Sequence, residues 1–138
     1  MADLLFVDND PRLLELFALF LRRRGHVVRT AASFAAAREE LAQRRPDLLL
    51  SDLELGAERG DEELARLCSD GHLPPTLVVS GYLDAALSER LLRLPGIVGT
   101  LAKPFDLATL EARIGEALAV AQDRAHDRSE DRAQAGSP

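Results

Sequence analysis

The sequence predicts an α/β fold: a doubly wound five-stranded parallel sheet with five helices. Three observations predict it. Five short apolar runs alternate strictly with five segments of helical period, which is the pattern of strand and crossover-helix units. The first, third and fourth runs are almost wholly apolar, as strands covered by helices on both faces must be. Polar and charged residues collect directly after the runs, at the carboxyl edge where such sheets bind ligands.

The elements follow in order. The first strand is "LLFV" (4–7), and the first helix runs from about Pro11 to Arg24 with Leu13, Leu14, Phe17, Phe20 and Leu21 on its apolar stripe. Asp10 precedes Pro11, and the pair suits an N-cap followed by a first helical position. The arginines of "RRRGH" (22–26) suit the negative end of that helix, with Gly25 as its stop. The second strand is "HVVRT" (26–30); the second helix, about Ser33 to Arg44, carries Phe34, Ala37 and Leu41, with Ser33 as its cap. "LLLS" (48–51) is the third strand, and the third helix follows Gly60 with Leu64 and Leu67. The fourth strand is "TLVVS" (76–80), and the fourth helix, from about Asp84, carries Leu87, Leu91 and Leu94. "GIVGTLA" (96–102) is the fifth strand; the fifth helix, from about Asp106 as cap, carries Leu107, Leu110, Ile114 and Leu118. From Gln122 the pattern changes to "QDRAHDRSEDRAQAGSP", a charged repeat without an apolar stripe. The expected division is therefore a domain over 1–121 and a frayed helix passing into a disordered tail over 122–138.

The 138 residues suit one domain. A net charge of -6 opposes direct nucleic-acid binding. No apolar run reaches the roughly 20 residues of a membrane span, and no signal-peptide pattern opens the chain, so a cytoplasmic location is expected. Cys68, the single cysteine, reads as a small core residue.

The carboxyl edge collects Asp8, Asn9 and Asp10 after the first strand, Asp52 after the third, Ser80 and Gly81 after the fourth, and Lys103 after the fifth. Carboxylates gathered in one place repel unless a cation or proton intervenes. Oxygen donors of this kind suit Mg²⁺. Lys103 is the only lysine among 17 basic residues, a compact mobile charge where a planar guanidinium would fit less well. Asp10 reads as a helix cap rather than a ligand.

"LLFVDNDP", "PDLLLSDLELGAERG" with Gly60 eight residues after Asp52, "LVVSG" and "LAKPF" together resemble the receiver domain of bacterial response regulators in two-component signalling. The resemblance covers residues 3 to about 121 and implies the flavodoxin-like (βα)5 arrangement. It implies that Asp52 accepts a phosphoryl group from a histidine kinase or phosphotransfer protein. Asp8, Asn9, Asp52 and the backbone carbonyl of Glu54 would hold Mg²⁺. Ser80 and Lys103 would contact the phosphoryl oxygens, Thr100 would stand at the second switch position, and the Lys103–Pro104 peptide would be cis. Output would pass to a downstream protein through the fourth helix, fifth strand and fifth helix, with Leu83, Leu87, Leu91, Thr100 and Leu110 on that surface, and a homodimer is possible.

The chain departs from that pattern in four places. Asn9 stands where a second acid is usual, Gly56 where proline is usual, Arg59 where aspartate is common, and Thr100 where an aromatic ring is frequent. Weaker metal binding and a looser loop after Asp52 are the expected consequences. Two other readings remain open. One is a receiver fold that docks without phosphorylation, and the other is a haloacid dehalogenase-type phosphatase with Asp8 as nucleophile.

Overall fold

The computed structural model describes residues 2–55 and 58–135, so Gly56 and the looser loop expected there lie outside the described residues. The described elements are β1 (Asp3–Val7), α1 (Pro11–Arg23), β2 (Val27–Ala31), α2 (Phe34–Gln43), β3 (Leu48–Asp52), β4 (Glu54–Leu55), β5 (Glu58–Arg59), α3 (Gly60–Ser69), β6 (Thr76–Ser80), α4 (Ala85–Leu92), β7 (Ile97–Ala102) and α5 (Leu107–Ala135). Five strands form one parallel sheet in the order β2-β1-β3-β6-β7. The short hairpin β4–β5 between β3 and α3 is antiparallel. Periodicity could not signal it, because two-residue strands have no period to read.

Strand alternation divides the core in two. Leu4, Phe6, Leu48, Leu50, Leu77 and Val79 pack with Leu14, Phe17 and Leu21 of α1 and Leu110 and Ile114 of α5. Their neighbours Leu5, Val7, Leu49 and Val78 pack with Phe34 of α2, Leu64 and Leu67 of α3 and Leu91 of α4. Consecutive side chains point to opposite faces of a strand, so both faces of this sheet are covered. The Phe6 ring is tilted against Phe17, and Phe17 stacks on Phe105, with ring centroids 5.6 and 5.3 Å apart.

The helix ends are written locally. Asp10 caps α1, its carboxylate accepting from the N–H groups of Arg12 and Leu13, and Pro11 takes the first turn. Ser33 caps α2 through Ala36, Asp84 caps α4 through Leu87, and Asp106 accepts from Thr109 at 2.7 Å. At the end of α1, Gly25 has φ +93°, and its N–H donates to the Arg22 carbonyl while that of His26 donates to Leu21. That pair of bonds closes the helix in the manner glycine permits. Arg22 turns back to the Val28 carbonyl at 2.8 Å, and Arg24 pairs with Glu111 and lies over Phe20, so these two arginines tie the end of α1 to β2 and α5.

Two expectations are corrected, on Cys68 and on two surface leucines, while the helical extension expected past residue 121 runs as helix to Ala135. No glycine or proline interrupts that stretch, and Arg124 anchors its first turns by donating to the Ile97 carbonyl at 3.0 Å. Cys68 is half-buried rather than in the core, its thiol facing the Pro95 carbonyl. Leu91 and Leu110 are core residues and present no surface, whereas Leu83, Leu87 and Thr100 are half-buried. No described helix is long and apolar enough to cross a membrane.

Candidate phosphoryl site

At the rim where the parallel strands end, four of the five contribute a site residue. Asp8 follows β1 and keeps the ladder by donating its N–H to the Ala31 carbonyl, Asp52 ends β3, Ser80 ends β6, and Lys103 follows β7 with its N–H on the Ser80 carbonyl at 2.9 Å. Asp8 and Asp52 are 1% and 5% exposed, and Ser80 is 1%. Two buried carboxylates side by side need a counter-charge. The Lys103 ammonium supplies it, with Nζ 2.8 Å from Asp8 Oδ2 and 3.0 Å from Asp52 Oδ2.

The remaining carboxylate oxygens are held by backbone donors. Asp8 Oδ1 accepts from the N–H of Asp10 at 2.9 Å, and Asp52 Oδ1 accepts from that of Glu54 at 3.1 Å. Asp10 thus caps α1 and also orients Asp8. Burial by itself would lower the Lys103 pKa, but hydrogen bonds and charge from Asp8 and Asp52 outweigh it and hold the ammonium above its ordinary 10.5. The Lys103–Pro104 peptide is cis.

A β-bulge decides which way Lys103 points. Thr76 pairs with Ile97 but Leu77 pairs with Gly99, so Val98 is an extra residue in β7. Ile97 belongs to the core under α2, α3 and α4, while Val98 and, two residues past Gly99, Leu101 belong to the other core. The change of phase puts Thr100 opposite Val78, on the α4 side of the sheet, and puts position 103 on the same side as Leu101. Asp8 follows Phe6 and Asp52 follows Leu50 by two residues, both on the α1 and α5 side. Without the extra residue, a strict alternation would turn Lys103 away from both carboxylates.

A cleft opens above these groups, lined by Asp8, Asn9, Asp10, Asp52, Leu53, Glu54, Arg59, Asp61 and Lys103. Ser80 stands beside it, its hydroxyl accepting from the Tyr82 N–H at 3.1 Å. Thr100 lies behind on β7, half-buried, and the Arg113 guanidinium of α5 contacts its carbonyl. Sequence reasoning did not count Arg59, Leu53 or Asp61 among the site residues. The available signal was Gly60: a Cβ there would fall 2.5 Å from the Leu53 Cα, so glycine is required where the hairpin folds back on the segment after Asp52.

The donor set is of hard oxygens. Two buried carboxylates, the Asn9 amide and the Glu54 carbonyl match what Mg²⁺ takes from a protein while keeping several waters. Among the described residues no three acidic, histidine or cysteine side chains stand together as a metal cage. The residues fit a weakly held ion completed by neutral oxygens and water.

Comparison with known proteins agrees with this fold. Residues 4–115 match the family described as response regulator receiver domain. The chain is 32% identical over 120 residues to the transcriptional regulatory protein GlrR of Escherichia coli (strain K12), covering 85% of this chain and 26% of that protein. It therefore spans about a quarter of the length of that relative. Protein Rrf1 of Nitratidesulfovibrio vulgaris is 31% identical over 121 residues, with 86% of this chain and 83% of that protein covered. A CheY-like response regulator receiver domain protein from Methanospirillum hungatei JF-1 has a similar fold, with TM-score 0.78, 24% identity, and 88% and 96% of the two chains covered.

Proposed function

The chain belongs to the response regulator receiver domain family, and from that premise we propose that Asp52 is its phosphoacceptor and that the added charge switches a protein-binding surface. The observation that carries this reading is the ammonium of Lys103 lying between buried Asp8 and buried Asp52, three residues from three separate strand ends.

An Asp52 carboxylate oxygen attacks the phosphorus of a phosphohistidine on a kinase or phosphotransfer protein. The new P–O bond forms as the P–N bond breaks, and the electron pair leaves with the imidazole nitrogen. Asp8, Asn9, Asp52 and the Glu54 carbonyl would hold Mg²⁺. When bound, the ion supplies charge neutralisation at the phosphoryl oxygens. Lys103 exchanges its bond to Asp52 for one to the phosphoryl group while keeping Asp8. The backbone N–H of Glu54 holds the attacking carboxylate in orientation.

Addition of about -1.5 to -2 charges at the rim draws the Ser80 hydroxyl from the Tyr82 N–H toward the phosphoryl oxygens. Ser80 precedes the loop into α4, and Thr100 sits on the same side of the sheet, so α4, β7 and α5 form the responsive surface. Here Thr100 is small, and the rearrangement behind Ser80 is correspondingly short. The partners of this reading are a histidine kinase or phosphotransfer protein and a downstream protein, with a homodimer as a further outcome of switching. The net charge of -6 disfavours nucleic acid as a direct partner. The cytoplasm, which offers both phosphodonor and Mg²⁺, is the matching location.

Incubation with acetyl phosphate and Mg²⁺ followed by intact mass measurement tests the proposal. Wild type gains the mass of one phosphoryl group, and Asp52→Asn gains none. No gain on wild type would leave a docking module that works without phosphorylation. Gain retained by Asp52→Asn but lost by Asp8→Asn would favour the phosphatase reading.

A further inference from the structure

The cleft above Asp52 contains a second cation. Arg59 lines it together with Asp8, Asn9, Asp52 and Lys103. Its position is fixed by backbone on both sides. Arg59 pairs across the hairpin with Glu54, whose own N–H is bound to Asp52. The next residue, Gly60, donates to the Leu53 carbonyl at 2.9 Å and approaches too closely for any Cβ. The Arg59 Cα is thereby clamped beside the two residues that follow Asp52.

Its side chain is held less firmly. The guanidinium lies 3.8 Å from Asp61 and 3.5 Å from Glu62, with the Arg59 side chain 70% exposed. Exposed pairs of that length are weak and easily exchanged. A guanidinium offers a planar fork of five donors, which matches phosphoryl oxygens better than it matches two separate carboxylates at long range. Relative to a two-acid metal pocket, this cleft has one negative charge fewer at Asn9 and one positive charge more at Arg59.

We propose that Arg59 is a second phosphoryl-binding cation, which leaves Asp61 and Glu62 for the phosphoryl oxygens on Asp52 and, before transfer, opposes Mg²⁺ in the same cleft. The inference rests on Asp52 being the phosphoacceptor. It separates from a purely structural role by sign. If Arg59 only tied the hairpin to the first turn of α3, removing it would loosen the cleft and weaken metal and phosphoryl binding together. A charge acting on both ligands makes them move in opposite directions.

The experiment uses the full chain as wild type, Arg59→Gln and Arg59→Lys. Mg²⁺ alone is titrated calorimetrically, and the initial rate of mass gain from acetyl phosphate is measured at saturating Mg²⁺. Arg59→Gln is expected to bind Mg²⁺ roughly two- to five-fold more tightly and to gain the phosphoryl group slower by a similar factor, the range of an exposed charge pair. Arg59→Lys keeps the wild-type metal affinity and recovers part of the rate. Unchanged metal affinity, an unchanged rate, or weakening of both in Arg59→Gln overturns the proposal while Asp52 remains the phosphoacceptor. Absence of any mass gain on wild type removes both together.

Discussion

At the scale of single residues, Lys103 carries the largest electrostatic burden. It is 27% exposed and serves two carboxylates that are nearly wholly buried. Lys103→Met removes the ammonium that bonds both Asp8 and Asp52 and leaves the two carboxylates facing each other. The expected loss is about 2 kcal/mol, less than the roughly 3–5 kcal/mol of a fully buried pair because water reaches the ammonium. Urea unfolding measures it, and added Mg²⁺ should narrow the gap by replacing the missing charge. The sign with pH follows from the raised pKa. Stability from a group whose pKa is higher in the folded state is complete below its unfolded value, near 10.4 for lysine, and is lost as pH rises through the folded value. The difference between wild type and Lys103→Met should stay constant from about pH 7 to 9 and close above about 10.5.

At the scale of elements, caps and close approaches set where helices begin. Ser33→Ala removes the acceptor for the Ala36 N–H and should lower stability by about 1 kcal/mol, read as a shift in urea midpoint without a change in slope. Asp106 is fully exposed, and its hydrogen bonds to the side chain and then the backbone of Thr109 hold its carboxyl below the ordinary 3.8. A depressed carboxyl adds stability above its unfolded pKa and loses it as pH falls through the folded one. Asp106→Asn, which keeps the cap but not the charge, should therefore melt below wild type at neutral pH, and the difference should begin to close below about pH 3.8. Gly60→Ala places a methyl 2.5 Å from the Leu53 Cα. The backbone must shift, at a cost of about 1–3 kcal/mol, and slower phosphorylation should accompany the lower urea midpoint because Leu53 adjoins Asp52.

At the scale of the whole molecule, one sheet serves two cores. Phe17 sits in the α1 and α5 core and Phe34 in the α2, α3 and α4 core. The strands between them contribute alternate residues to both, so neither core can melt while the other stays whole. Phe17→Ala and Phe34→Ala should each cost about 3–5 kcal/mol. Near-ultraviolet and far-ultraviolet circular dichroism should report one coincident transition in each variant. Separate transitions for the two faces would contradict the shared-sheet picture.

Most of this fold could be read from order alone. Apolar runs at 4–7, 48–51 and 76–80 fall inside observed strands, and Asp10, Ser33 and Asp106 cap the helices they precede, because period and capping are local properties of the chain. The hairpin β4–β5 escaped because its strands are too short for periodicity, and the choice between surface and core for Leu91 and Leu110 stayed open because a helical stripe does not state its depth. How far α5 extends, to Ala135, was not legible because charge repeats permit a helix without requiring one.

The sequence by itself determined which polar residues end each strand, since alternation and breaks in hydrophobicity are carried by neighbours along the chain. Only the tertiary structure decided that Lys103 faces Asp8 and Asp52 and that Arg59 shares their cleft. Those two facts depend on an extra residue at Val98, which re-phases a strand, and on a glycine contact that folds a hairpin back. The first arises between two strands separated by a helix and the second within a short hairpin, and neither pairing register nor close backbone approach is carried by hydrophobic period or capping.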